Sequence, residues 1–216
     1  MRRANPIIEF VGVPGSGKST IARAFRPLLP NAIGLQLPRA AFRGSPALLA
    51  HAAALLMSLR PFRSNDFNRM LRIVEAQRVY AQPLAAPLLL EQGLIQRLWA
   101  TLADRERYSE SHLDSLIGVM AKSPPDVIVR VNTPHAVAAS RIHARTHGNS
   151  RYERLAEAEI TARLGPANDL YDKLVDLYHR HSAVAIIAVP GTDPVEENVA
   201  RVAACLAEAR PDFGRA

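Results

Sequence analysis

The residues with the clearest chemical meaning form one run near the start of the chain, Gly12-Val13-Pro14-Gly15-Ser16-Gly17-Lys18-Ser19, followed by Thr20. The spacing fits G-x-x-x-x-G-K-[ST], in which glycines let successive backbone N–H groups curl around phosphate oxygens. Lys18 then reaches the β- and γ-phosphates, and the Ser19 hydroxyl is placed to ligate Mg²⁺. Residues 12–20 are the candidate nucleotide-binding segment. No N-K-x-D element for guanine is present, nor a D-x-x-G run after a strand, so ATP with Mg²⁺ is the expected ligand.

Such a run works only between a strand and a helix. Pro6 to Val11 is β-branched and apolar, as a buried strand requires, and Thr20 to Arg26 places apolar residues on one helical face before Pro27. Further strands are expected at Ile33–Leu37, Pro87–Leu90, Asp126–Val131 and Val184–Val189. Helical patterns run from Ala47 to Leu59, Phe67 to Tyr80, Leu94 to Leu102, Tyr108 to Lys122 and Leu170 to Tyr178. Two more open at Thr133-Pro134, a cap followed by proline at the first helical position, and at Asp193-Pro194. Ala47–Leu59 is apolar on almost every side, which predicts burial all round. In Phe67–Tyr80, Met70, Ile73, Val74 and Gln77 share one face. Tyr80 and Trp99 read as packing residues.

Strands alternating with helices predict a parallel sheet covered on both faces, with ligands beyond the carboxyl ends of its strands. The phosphate-binding run falls there, and so does Glu91, an acid at the end of a buried strand. A carboxylate at that point can hold Mg²⁺ through water or pair with the dipole at a helix start. Arg141 and Arg145 are four apart on one helix face and can converge on phosphates. Arg151 and Arg154 lie beyond Gly148-Asn149, a hinge about which a lid can close.

At 216 residues, with 48% apolar and 22% charged residues, the chain reads as one globular domain, 1–216. One cysteine, Cys205, leaves no internal disulfide and suits a reducing, cytoplasmic setting. The longest apolar stretch, Pro46 to Leu59, is too short to span a bilayer. Net charge is +7, but residues 1–100 hold 13 Lys/Arg against 4 Asp/Glu, so the basic excess lies with the phosphate-binding run. Only three of the basic residues are lysine, and arginine suits bidentate phosphate recognition. Aromatics are 6% and do not interleave with basic residues, which speaks against nucleic acid as a partner. The seven histidines have no zinc-binding spacing with Cys205.

The whole chain resembles the P-loop kinases of nucleosides and nucleotides, in particular the thymidylate kinase and deoxynucleoside kinase group. The likeness rests on four features. They are the P-loop, Glu91 after the third strand, the run Pro125–Pro134 followed by Arg141 and Arg145, and a late strand leading into Pro190-Gly191-Thr192-Asp193. The resemblance implies an α/β P-loop NTPase sandwich of three layers: a five-stranded parallel sheet ordered 2-3-1-4-5, helices on both faces and an arginine-bearing lid. It further implies a helical acceptor-binding region at 38–86, a lid at 141–155 and a homodimer. The implied enzyme is an ATP-dependent kinase that moves the γ-phosphate to a hydroxyl or phosphate of a small-molecule acceptor. Its catalytic residues would be Lys18, Glu91, Arg141 and Arg145, with Glu91 taking the proton from an acceptor hydroxyl as in the deoxynucleoside kinases. The family pattern places an arginine directly after the acid; here Gln92 and Gly93 follow, and the next arginine is Arg97. A non-catalytic ATP-binding regulator or a nucleic-acid-associated ATPase is the alternative reading.

Overall fold

The computed structural model describes residues 4–29, 31–33, 45–103, 105–145 and 152–209. Among these, four strands form one parallel sheet: β1 (Ile7–Val11), β2 (Leu88–Leu90), β3 (Val127–Asn132) and β4 (Ala185–Pro190). Their order is β2-β1-β3-β4. Ile33 makes an isolated parallel bridge to Leu88 on the outer side of β2, the one described trace of the strand expected at Ile33–Leu37. Residues 34–37 of that expectation lie outside the described residues.

Side-chain alternation splits the interior into two layers. Ile8 and Phe10 of β1, Leu89 of β2 and Val127, Val129 and Val131 of β3 face α1 (Lys18–Phe25) and α8 (Val195–Ala209), burying Ile21, Phe25, Val202 and Leu206. Ile7 and Val11, Leu88 and Leu90, and Ile128 face the opposite layer. That layer contains α2 (Pro46–Ser58), α3 (Asp66–Tyr80), α4 (Leu94–Leu102), α5 (Glu110–Met120), α6 (His135–His143) and α7 (Glu157–Ser182). Period-two alternation therefore places Glu9 and Arg130 on this larger helical side.

Local sequence explains two helix starts directly. Ser45 caps α2, its hydroxyl accepting from Leu48 N–H at 3.1 Å, with Pro46 in the first turn. Ser109 caps α5 through His112 N–H. Three expectations are corrected. The α2 helix buries only the stripe Leu48, Ala52 and Leu55, while Met57 is 74% exposed. It packs on α3 and α5 along one side, with Leu49 and Leu56 partly buried at the edges of the stripe, while Ala47, Ala50, Ala53 and Met57 face outward. The helix opening at Thr133 is shifted: Pro134 is the N-cap, and the Thr133 hydroxyl turns to donate to Ser16 O at 2.9 Å. The helix expected at Leu170–Tyr178 is the second half of the longer α7, which runs through Pro166. No helix among the described residues is long and apolar enough to cross a membrane.

Candidate active site

The phosphate-binding run closes the gap between β1 and α1. Gly15 and Gly17 have φ of +81° and +93°, the left-handed region where a side chain is strained, so glycine is required at both. Ser16 N–H donates to Val13 O at 3.1 Å, and Gly17 O accepts the first helical bonds, from Thr20 and Ile21. The loop is clamped from outside. Thr133 holds Ser16 O, and Arg141 on α6 donates from Nη1 to Gly191 O at 2.9 Å and reaches Gly15 O at 3.5 Å. Gly191 lets these strands' ends meet, because a Cβ there would overlap both Thr133 Oγ1 and Ser16 O.

Lys18 opens α1 and is largely withdrawn from water. Burial pulls its pKa down to about 8; Glu91 opposes that shift, while Arg145 and Arg130 reinforce it. Glu91 and Arg145 thus both lie within electrostatic range of Lys18, although the three come from separate segments. Ser16 Oγ and Glu91 Oε2 are buried without a hydrogen-bond partner among the described residues. An anion in the loop and a cation or acceptor proton beside Glu91 would satisfy them. With Ser19 at the start of α1, these groups fit a nucleotide and its Mg²⁺. Among the described residues there is no cluster of three or more His, Cys, Asp and Glu suited to hold a metal by themselves.

The other candidates are placed as follows. Gly12 to Thr20 form the continuous cradle just described. Arg141 is engaged with backbone carbonyls of the cradle and of Gly191. The α6 helix ends at His143, so Arg145 lies beyond the helix rather than on one helical face with Arg141 as expected, and it is exposed. Arg154 is exposed on the far side of residues 146–151, which lie outside the described residues together with Gly148, Asn149 and Arg151. Residues 38–44 of the expected acceptor region also lie outside them. Trp99 packs as expected, stacking on Tyr171 at 4.7 Å and donating from its indole to Ala167 O. Arg97 is half-buried on α4, where burial lowers its pKa and Tyr80, Arg72, Glu9 and Glu75 act on it.

Several site residues escaped the sequence reading. Glu9, in the middle of β1, is 0% exposed. Its carboxylate accepts N–H bonds from Ile95 at 2.8 Å and Gln96 at 3.2 Å, and the Tyr80 hydroxyl at 2.8 Å. Tyr80 itself accepts Leu94 N–H at 3.4 Å. The start of α4 is therefore satisfied by Glu9 and Tyr80, and Glu91 is not its cap. Burial lifts the Glu9 pKa to about 7 against the lowering effect of these hydrogen bonds. Nearby, Arg130 of β3 lies over the Tyr171 ring at 5.2 Å and is held by Asp172 and Asn168. The available signal was a lone carboxylate inside an otherwise apolar strand.

No family model and no curated protein matches this sequence. Solved structures do match its fold. A deoxyadenosine kinase from M. mycoides with bound dATP superposes with TM-score 0.55 at 16% identity, over 93% of this chain and 98% of that one. The same enzyme with bound dCTP gives 0.57 at 13% identity, over 94% and 99%. A thymidylate kinase from Candida albicans gives 0.58 at 15% identity, over 94% and 92%. At these identities the likeness establishes the fold: this chain has the α/β architecture of these nucleoside and nucleotide kinases along nearly its whole length.

Proposed function

We propose that this chain is an ATP-dependent phosphotransferase acting on a small nucleoside- or nucleotide-like acceptor. The observation that carries the reading is the convergence on Lys18: the acid Glu91 and Arg145 both act electrostatically on the P-loop lysine at the carboxyl end of the sheet. Phosphoryl transfer is limited by positioning and charge neutralisation, and such a constellation supplies both. Backbone N–H groups of Gly15, Gly17 and Lys18 hold the β- and γ-phosphates, and the Lys18 ammonium neutralises charge on the oxygens between them. Ser19 would hold Mg²⁺, which would add positive charge to the phosphates. With a hydroxyl acceptor, its oxygen bonds to the γ-phosphorus, the bond to the β-phosphate oxygen breaks, ADP leaves, and Glu91 takes the hydroxyl proton. Arg145 neutralises charge on the transferred group.

The finer architecture follows the same reading. The Ile33 bridge beyond β2 supports a fifth strand and the order 2-3-1-4-5. Residues 38–86, with α2 and α3, form the acceptor-binding region, and two copies associate through helices flanking β2. ADP release measured over nucleosides, nucleotides, sugars and aminoglycosides tests the proposal. Acceptor-stimulated turnover with one class supports it. Absence of turnover across the panel, together with salt-sensitive binding to nucleic acid, would replace it with the ATPase or regulator reading.

A further inference from the structure

The turn Glu91-Gln92-Gly93 runs directly into the first helical N–H groups of α4, and those groups have an unusual partner. Helix starts leave N–H groups unsatisfied, normally met by a capping side chain. Gly93 is the N-cap and has none to offer. The N–H groups of Leu94, Ile95 and Gln96 instead go to Tyr80 Oη and Glu9 Oε1, from another helix and from the central strand.

Space around Gly93 completes the arrangement. Its φ of −78° is open to any residue, so conformation does not explain the glycine. A Cβ would overlap Glu9 Cδ and lie 2.5 Å from Tyr80 Oη and 2.6 Å from Glu9 Oε1. The same helical turn is gripped on its other side, where Gln96 Oε1 accepts the Tyr171 hydroxyl beneath Arg130. We propose that Glu9 is a positioning residue that caps α4 from inside the sheet and thereby aims Glu91 at the cradle, with Gly93 as its obligate steric partner. The proposal rests on the kinase reading for the role of Glu91; the Glu9–Gly93 pairing stands apart from it.

A double-mutant cycle on the full chain tests this: Glu9→Ala, Gly93→Ala and the double variant, with Glu9→Gln as the conservative control and Glu9→Asp should the alanine variant not fold. ADP formation gives kcat and KM, and thermal unfolding reads the pairing without turnover. Each single substitution is expected to lower kcat by about tenfold to a hundredfold, the scale of a 1 Å misplacement, while KM for ATP stays within about twofold. Glu9→Gln keeps an oxygen for the two N–H groups and should hold kcat near wild type. In the double variant the new methyl enters vacated space, so its unfolding loss should fall well below the sum of the singles. Folded Glu9 variants with wild-type kcat, or additive unfolding losses, would overturn the proposal. Wild-type protein without turnover would instead defeat the kinase reading and leave the pairing to be decided by the unfolding cycle.

Discussion

Arg141 on α6 donates to the carbonyl of Gly191 on the turn after β4, 50 residues later, and through the same nitrogen reaches Gly15 in the cradle. One guanidinium therefore ties three segments together at the phosphate site. Arg141→Ala should loosen the cradle and raise KM for ATP by about tenfold, the scale of one charge-assisted hydrogen bond. Arg145→Ala should lower kcat more than it changes KM. Steady-state kinetics of the two variants separates a backbone clamp from a residue acting on the transferred group.

Lys18 supplies a pH test. Its pKa is held near 8 by burial, so in the free protein it is charged below that value and neutral above it. A bound triphosphate favours the charged form, hence ATP affinity should be flat below about pH 8 and fall as pH rises beyond it. Titration with ATP between about pH 7 and pH 9.5 follows this. Lys18→Ala should abolish transfer and remove the pH-dependent limb.

Glu91→Gln removes the proposed proton acceptor while keeping shape. Transfer to a hydroxyl acceptor should drop by about a hundredfold to ten-thousandfold, as for general-base removal, with ATP affinity close to wild type. Isothermal titration alongside single-turnover kinetics checks both parts. Wild-type transfer would eliminate the base role.

The raised pKa of Glu9 has a direct consequence for stability. Folding favours its protonated form, so the folded state holds more protons than the unfolded chain between pH 4.5 and about 7. Stability should therefore decline as pH rises through that window, by an amount on the order of 3 kcal/mol, and Glu9→Gln should not show this decline. The buried hydroxyls facing it, Tyr80, Tyr171 and Tyr178, have pKa values raised by burial and stay neutral throughout. Urea unfolding of both proteins at pH 5 and pH 8 makes the comparison, with these two values taken as roughly the window's edges.

The donor side of the site was legible because its chemistry lies in a short contiguous run: Gly15, Gly17 and Lys18 state their own geometry. The strand and helix order was legible for a similar reason, since periodicity is local. What holds the run in place was not. Thr133 looked like a helix cap, and only the folded chain shows its hydroxyl on Ser16. Glu9, Tyr80 and Gly93 are separated by 71 and 13 positions, and no local pattern announces that they share one small volume. The outward faces of α2 escaped as well, because composition cannot distinguish an apolar helix buried on every side from one packed along a single stripe.

The alternation along β1 gives Glu9 a second importance, for fidelity of folding. In the native register its neighbours Ile8 and Phe10 face the layer of α1 and α8, while Glu9 meets the donors at the start of α4. A slip of one residue against β2 or β3 would exchange those faces. The carboxylate would then enter the apolar layer of Ile21, Phe25, Val202 and Leu206, where a charge without donors is strongly disfavoured. A purely hydrophobic β1 would accept either alignment almost equally, whereas this one residue makes the wrong alignment costly and so fixes where the P-loop begins.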